Sequence, residues 1–302
     1  MSKCTKKWLI IATSLILIGG LIFAGVMTVL KWDFSKLATV KYVTNTYEIT
    51  DDFSDILINT NTADITILPS NDEKCSVVCY EEKTALHTVT VGNNILAIEV
   101  INKTKWFDYI GLNFDTPKIT IYLPKTEYTS LSISESTGDI KISKDFTFKN
   151  ADIKVSTGDI EILSNVTETA KLKCSTGDIV VRNISSELLQ LTVDVTTGKV
   201  NLTDIVCKSI VSNGSTGDMA LKNVAAKEKI SIERSTGDIS FDGVDAAEIF
   251  TKTDTGDVCG SLLSEKVFVA KTDTGDIDVP NTQSGGKCEI TTNTGDIKIT
   301  LK

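Results

Sequence analysis

Ser136-Thr137-Gly138-Asp139-Ile140-Lys141-Ile142 decides how this chain is read, because the phrase returns as Ser156-Thr157-Gly158-Asp159-Ile160-Glu161-Ile162 and keeps returning. Aligned on the glycine, it marks Gly138, Gly158, Gly177, Gly198, Gly217, Gly237, Gly256, Gly275 and Gly295, at intervals of 19–21 residues. Threonine precedes every one. Aspartate follows eight of them, at Asp139, Asp159, Asp178, Asp218, Asp238, Asp257, Asp276 and Asp296, and the ninth position is Lys199. A period of this length is the signature of stacked units, none of which can bury a core alone.

Working outward from the glycine, each column has its own physical character. Two and four residues after it lie apolar pairs such as Ile140 with Ile142, Val200 with Leu202 and Ile239 with Phe241. The residues between them are mostly polar, which is the alternation of a half-buried strand. Seven and five residues before the glycine lies a second inward pair, as in Leu131 with Ile133 and Ile230 with Ile232. The position four before is polar in every unit, from Ser134 through Lys173 and Glu233 to Thr291, and faces water. A third apolar column, Phe146, Val166, Ile184, Ile205, Val224, Val244 and Leu263, closes the coil. The pattern predicts an all-β, single-stranded β-solenoid or β-helix of about ten rungs, roughly 45 Å long at about 4.8 Å per rung.

Glycine suits a reversal between two strands because it takes positive φ without steric cost. Threonine before it and aspartate after it are expected to hydrogen-bond turn amides. Stacking then sets the aspartates about 5 Å apart, where neighbouring carboxylates repel by roughly 1 kcal/mol in water. Amide hydrogen bonds, flanking lysines or bound cations would offset this, and Lys199 interrupts the row. No cofactor is expected. Calcium is the one cation worth testing, although the short Gly-Gly-x-Gly-x-Asp unit of calcium-binding β-rolls is absent. The row of eight aspartates is the candidate ligand or cation site.

Residues 8–30 carry no charge and are rich in Leu, Ile, Val, Ala and Gly. At 1.5 Å per residue they make about 35 Å of helix, enough to span a bilayer. No cleavage site follows, so the reading is an uncleaved single-pass anchor with Trp8 and Trp32 at its two interfaces. Lys3, Lys6 and Lys7 place residues 1–7 in the cytoplasm, and the larger domain outside. Residues 31–44 read as a linker, 45–130 as an irregular, capping first part of the solenoid domain, and 131–302 as the regular repeats. The net charge is -9, with arginine only at Arg182 and Arg234. Nucleic-acid partners are therefore not expected, since they need dense basic patches.

Before the repeats, a degenerate first rung runs from Ile56 to Ile67 with Ala63 in the glycine's place. Strands are expected at residues 75–80, 89–91, 96–101 and 119–123, with a hairpin turn at Gly92-Asn93-Asn94. The seven cysteines fit no tight zinc pattern and read as unpaired, mostly structural thiols. His87, the only histidine, reads as a surface residue. Trp106, Phe107 and Tyr109 belong to an aromatic stretch that either plugs the first rung or forms an exposed partner loop. At the other end nothing follows the last strand, so the C-terminal rung is expected to be uncapped and to self-associate.

The segments Asp64-Ile65-Thr66-Ile67-Leu68-Pro69 and Ile119-Thr120-Ile121-Tyr122-Leu123-Pro124, with the serial Ser-Thr-Gly-Asp-Ile turns, resemble a family of bacterial membrane-anchored domains of unknown function. Its members carry the label "putative adhesin". The resemblance spans about residues 45–302. It implies a cell-envelope protein with a surface ligand, in some relatives beside envelope-stress signalling systems, and it carries no catalytic residues. The expected function is non-enzymatic binding or scaffolding by an acidic solenoid outside the membrane. A sensor or regulator of envelope stress, acting through a membrane partner, is the alternative. A polysaccharide-active β-helix enzyme fits less well, because the carboxylates are equivalent from rung to rung and none has an acid/base constellation around it.

Overall fold

In the computed structural model, which describes residues 3–37, 40–102 and 115–302, every repeat glycine has positive φ, from 127° at Gly217 to 150° at Gly138. A residue with a Cβ adopts that region only under strain. Stacking adds a second demand. A Cβ on Gly217 would stand 2.1 Å from the carbonyl oxygen of Gly198 in the neighbouring rung. Ala63 escapes both because it is not in the positive-φ region, and its own carbonyl lies under Gly138.

The rungs join in one continuous sheet by parallel pairing that keeps the inward columns aligned, for example Leu191↔Ile210, Ile210↔Ile230 and Ile230↔Ile249, with local shifts such as that between Ala226 and Lys229. The fold is the expected β-solenoid. Its interior is one apolar cluster that runs the length of the stack, with Ile160, Ile179, Val200, Met219, Ile239 and Val258 all fully buried in a single column. Parallel stacking puts like side chains over like, so every column packs on itself.

Chain order and spatial order part company at both ends. Near the N-terminus the strands are β1 (Tyr42–Ile49), β2 (Asp55–Asn59), β3 (Asp64–Pro69), β4 (Cys75–Glu82), β5 (Ala85–Gly92), β6 (Ile95–Asn102), β7 (Lys118–Leu123), β8 (Glu127–Thr137) and β9 (Ile140–Ile142). The rung made by β2 and β3 lies between that of β8 and β9 on one side and that of β6 and β7 on the other. Beyond it the pairing turns antiparallel: β4 borders β7, β1 borders β4, and β5 borders β6. The β5–β6 hairpin turns at Asn93 and Asn94, both at positive φ, as a two-residue hairpin requires. Residues 45–130 thus hold two rungs of the stack as well as its antiparallel edge.

At the far end the expectation of an uncapped C-terminal rung is overturned. The last strands, Gly286–Thr294 and Ile297–Leu301, pair with the Gly256 rung on one face and with Lys266–Thr274 and Ile277–Asp278 on the other. The outermost rung is therefore the Gly275 rung. Pro280 explains the exchange, since it follows close on the two-residue strand Ile277–Asp278 and has no N–H for a ladder. The C-terminal segment pairs through to Leu301 opposite Leu262, so it makes more hydrogen bonds in the interior position.

Two further columns emerge. Asn183, Asp204, Asn223 and Gly243, six residues after successive repeat glycines, all have φ between 51° and 68° and form a second left-handed corner. The rung of Gly256 is one residue shorter there. Leu262 rather than the expected Leu263 fills the third apolar column opposite Val244, and Leu263 is exposed. The position three before each glycine also points inward, and it is chemically mixed: Glu135, Val155, Cys174, Val195, Gly214, Arg234, Thr253, Thr272 and Thr292. Thr253 and Thr292 donate to the carbonyls of Gly237 and Gly256 in the neighbouring rung, at 3.3 and 3.1 Å. Arg234 is 1% exposed with no carboxylate partner among the described residues; its Nη2 donates to Ser212 Oγ at 3.2 Å, and its guanidinium occupies the room left by the missing side chain of Gly214.

Helix α1 (Lys3–Val29) contains a 25-residue stretch, Thr5–Val29, whose most apolar 18 residues have a mean hydropathy of 2.5, long and apolar enough to cross a membrane. Thr13 and Thr28 donate their hydroxyls to the carbonyls of Leu9 and Ala24 one turn back, which satisfies those two donors within the helix. Lys31 and Trp32, both at positive φ, close the helix by donating to Thr28 and Met27.

Candidate functional site

The aspartate after each glycine sits where the reversal ends and the next strand begins, at the exposed edge of the stack. Its Oδ1 accepts the main-chain N–H of the equivalent aspartate one rung on. Asp159 donates to Asp139 at 3.0 Å, Asp178 to Asp159 at 2.8 Å, Asp257 to Asp238 at 2.8 Å and Asp296 to Asp257 at 2.8 Å. Asp276, outermost in space, donates to Asp296 at 2.8 Å. A hydrogen bond to an ionised acceptor is worth about 1.5–3 kcal/mol, against roughly 1 kcal/mol of repulsion between solvated neighbours. The amide bond wins, so the row holds its own charge together.

Asp64 begins the same row by accepting from Asp139 at 3.2 Å. The sequence reading had placed its rung but not its carboxylate in the row, although its position after Ala63 was the available signal. At the interruption, the Lys199 amide still donates to Asp178 at 2.7 Å, and its ammonium reaches Asp218 Oδ2 at 3.3 Å. Among the described residues this is the row's one ion pair. The threonines immediately before the glycines are exposed and pair through their backbones, so of the two residues that flank the glycine it is aspartate whose side chain bonds the next rung. The row's carboxylates do not converge in threes among the described residues.

Trp106, Phe107 and Tyr109 lie outside the described residues. At the N-terminal end a cleft of about 580 Å³ opens, lined by Glu48, Asp51, Asp52, Asp72 and Glu73 beside Lys74, which extends the acidic character of the surface. His87 corrects the reading of a surface residue: it is 4% exposed. Its Nδ1 and main-chain N–H both face Glu81 Oε2, at 2.7 and 2.6 Å, and Nε2 lies 2.8 Å from Thr60 Oγ1. Sequence offered little sign of this, because Glu81 and His87 meet across the bend between β4 and β5. Cys75, Cys79, Cys174, Cys207, Cys259 and Cys288 are unpaired, and all of these but Cys259 are buried. Burial pushes the Cys207 and Cys288 thiols up to about 12.

An apolar N-terminal helix followed by a parallel β-solenoid edged by carboxylates defines a class of repeat protein in which each rung contacts only its neighbours. Family comparison places it further: residues 53–212 and 187–302 match the Toastrack DUF4097 model, and the chain belongs to that family. Among solved structures it is similar to a "putative adhesin" from Bacteroides fragilis, at 18% identity over 86% of this chain and 97% of that one, TM-score 0.44. A "putative lipid binding protein" from Parabacteroides distasonis matches at 15% identity over 85% and 97%, TM-score 0.46. A second "putative adhesin" from that species matches at 11% over 86% and 98%, TM-score 0.44. No curated protein matches the sequence.

Proposed function

We propose that this protein is a non-enzymatic binding scaffold, anchored by α1 with residues 1–7 in the cytoplasm and the solenoid outside the membrane, whose aspartate row takes a cationic surface ligand. The observation that carries this is the row itself. Each carboxylate but that of the outermost Asp276 spends one oxygen on the next rung's amide, and the row stays at the edge of the stack at the rung repeat. An extended basic segment places alternate side chains about 6.6–7 Å apart, and flexible lysine stems adapt that spacing to the row. Chelation of calcium needs six or more converging oxygens, a demand that one carboxylate per rung meets less well. The equivalence of the rungs also supports a binding role over catalysis.

The test uses the full chain in detergent and a synthetic oligolysine peptide. Asp218→Asn, Asp238→Asn and Asp257→Asn in one variant keep the Oδ1 acceptor and remove charge. The expected result is binding by the wild type that weakens with salt and falls at least tenfold in the variant, with an unchanged melting midpoint. Equal binding by the two proteins would refute the proposal.

A further inference from the structure

The most unusual chemistry in the molecule lies away from the aspartate row, inside the N-terminal edge of the stack. Cys79 and Glu81 are two residues apart on β4 and so share a face. The bend after β4 brings His87 of β5 against them. The Cys79 thiol, a Glu81 carboxylate oxygen and a His87 ring nitrogen all lie within 4.8 Å of one another. Cys79 and Glu81 are 0% exposed and His87 is 4% exposed. We propose that Cys79, Glu81 and His87 form a buried site, with three protein ligands, for a divalent zinc-class ion.

Four observations carry the assignment. The donor set is mixed sulfur, nitrogen and oxygen, which suits zinc and its neighbours in the first transition row and does not suit calcium or magnesium. The supporting contacts are in place: Asn45 Nδ2 donates to Glu81 Oε1 at 2.5 Å, the His87 amide holds Oε2, and Thr60 Oγ1 sits on Nε2. Such outer contacts orient ligands and set the imidazole tautomer. Without an ion Nδ1 carries the proton that Glu81 Oε2 accepts at 2.7 Å; with the ion on Nδ1 the ring proton would move to Nε2, where Thr60 Oγ1 accepts it. Charge also balances, since a thiolate and a carboxylate neutralise a divalent cation and leave no net buried charge. On binding, Cys79 releases its thiol proton to solvent, and a fourth position is left for water.

Glu81, His87 and Thr60 also align as a carboxylate, an imidazole and a hydroxyl, the order of a nucleophilic triad. Thr60 is 3% exposed, so no substrate reaches its oxygen and the alignment is not catalytic.

Because the site is buried, the ion enters as the chain folds, and the experiment loads it then. The full chain is expressed in medium supplemented with cobalt and purified in detergent without chelator. One cobalt per chain by elemental analysis, with a thiolate-to-cobalt charge-transfer band, is the expected result. The band persists in Cys259→Ser, which removes the exposed thiol, and disappears in Cys79→Ser and His87→Gln. A folded wild-type chain with no bound metal and no band overturns the proposal, as does a band undiminished in Cys79→Ser. The wild-type measurement decides the matter even if the variants fail to fold.

Discussion

Gly217 carries two constraints at once, a φ of 127° and a neighbour's carbonyl where a Cβ would stand. Gly217→Ala is expected to cost about 3 kcal/mol or more, seen as a lower denaturation midpoint, while Thr216→Ser at the exposed neighbour changes it by less than about 0.5 kcal/mol. Glu135 shows what the mixed inward column costs. Burial pushes its carboxyl up to about 7, against the Thr137 amide that pulls it down. The folded protein therefore holds a proton there that the unfolded chain, with an ordinary value near 4.5, gives up. The native state is favoured fully below about pH 4.5, and that favour is lost as pH rises towards 7 and above, by up to about 3 kcal/mol. Glu135→Gln is expected to remove this difference, so its stability relative to wild type rises from pH 4.5 to 8 in parallel denaturant titrations.

Each rung needs two reversals, and each is secured differently. The Thr-Gly-Asp turn uses glycine for its backbone and aspartate for its inter-rung bond. The second corner uses a left-handed Asn, Asp, Asn and Gly in successive rungs, with Asn223 Nδ2 donating to Asp204 Oδ1 at 2.9 Å. Asn223→Ala should cost about 1–2 kcal/mol, because a Cβ without a polar tip is disfavoured in that region and the bond is lost. Asn223→Gly should lose only the bond, and comparison of the two melting midpoints separates backbone strain from the hydrogen bond.

Stacked rungs contact only their neighbours, so stability grows towards the middle of the molecule. The Gly275 rung has one neighbour, and Val267, Val269 and Ile277 are between 41% and 49% exposed. Amides of residues 266–278 should exchange fastest among the repeat rungs and those of 190–250 slowest, as read by native-state hydrogen exchange. The same open edge is where a second copy of the chain would add a strand, with Lys271, Asp273 and Pro280 as its blunting charges and break. A dimer formed through this edge, measured by sedimentation of the full chain in detergent, is expected to be lost in Val267→Lys/Val269→Lys. A dimer unaffected by those changes places the contact elsewhere.

Wherever a column is chemically uniform, the primary structure was enough. The repeat glycines, the aspartates after them and the paired Ile, Val and Leu columns specify strand, turn and inward face by local periodicity, and with them the solenoid and the row of carboxylates. The inward column of Glu135, Cys174, Gly214 and Arg234 escaped because its members share position and not chemistry, although period-two alternation from Leu131 and Ile133 points to it. The exchange of rung order at both ends also escaped, because periodicity says what a rung is and not which rungs touch. Pairing completeness around Pro280 decides that at the C-terminal end. The meeting of Cys79, Glu81 and His87 belongs to the same class. Their closeness comes from the bend between two strands that pair with different neighbours, and only the folded chain brings those neighbours into place.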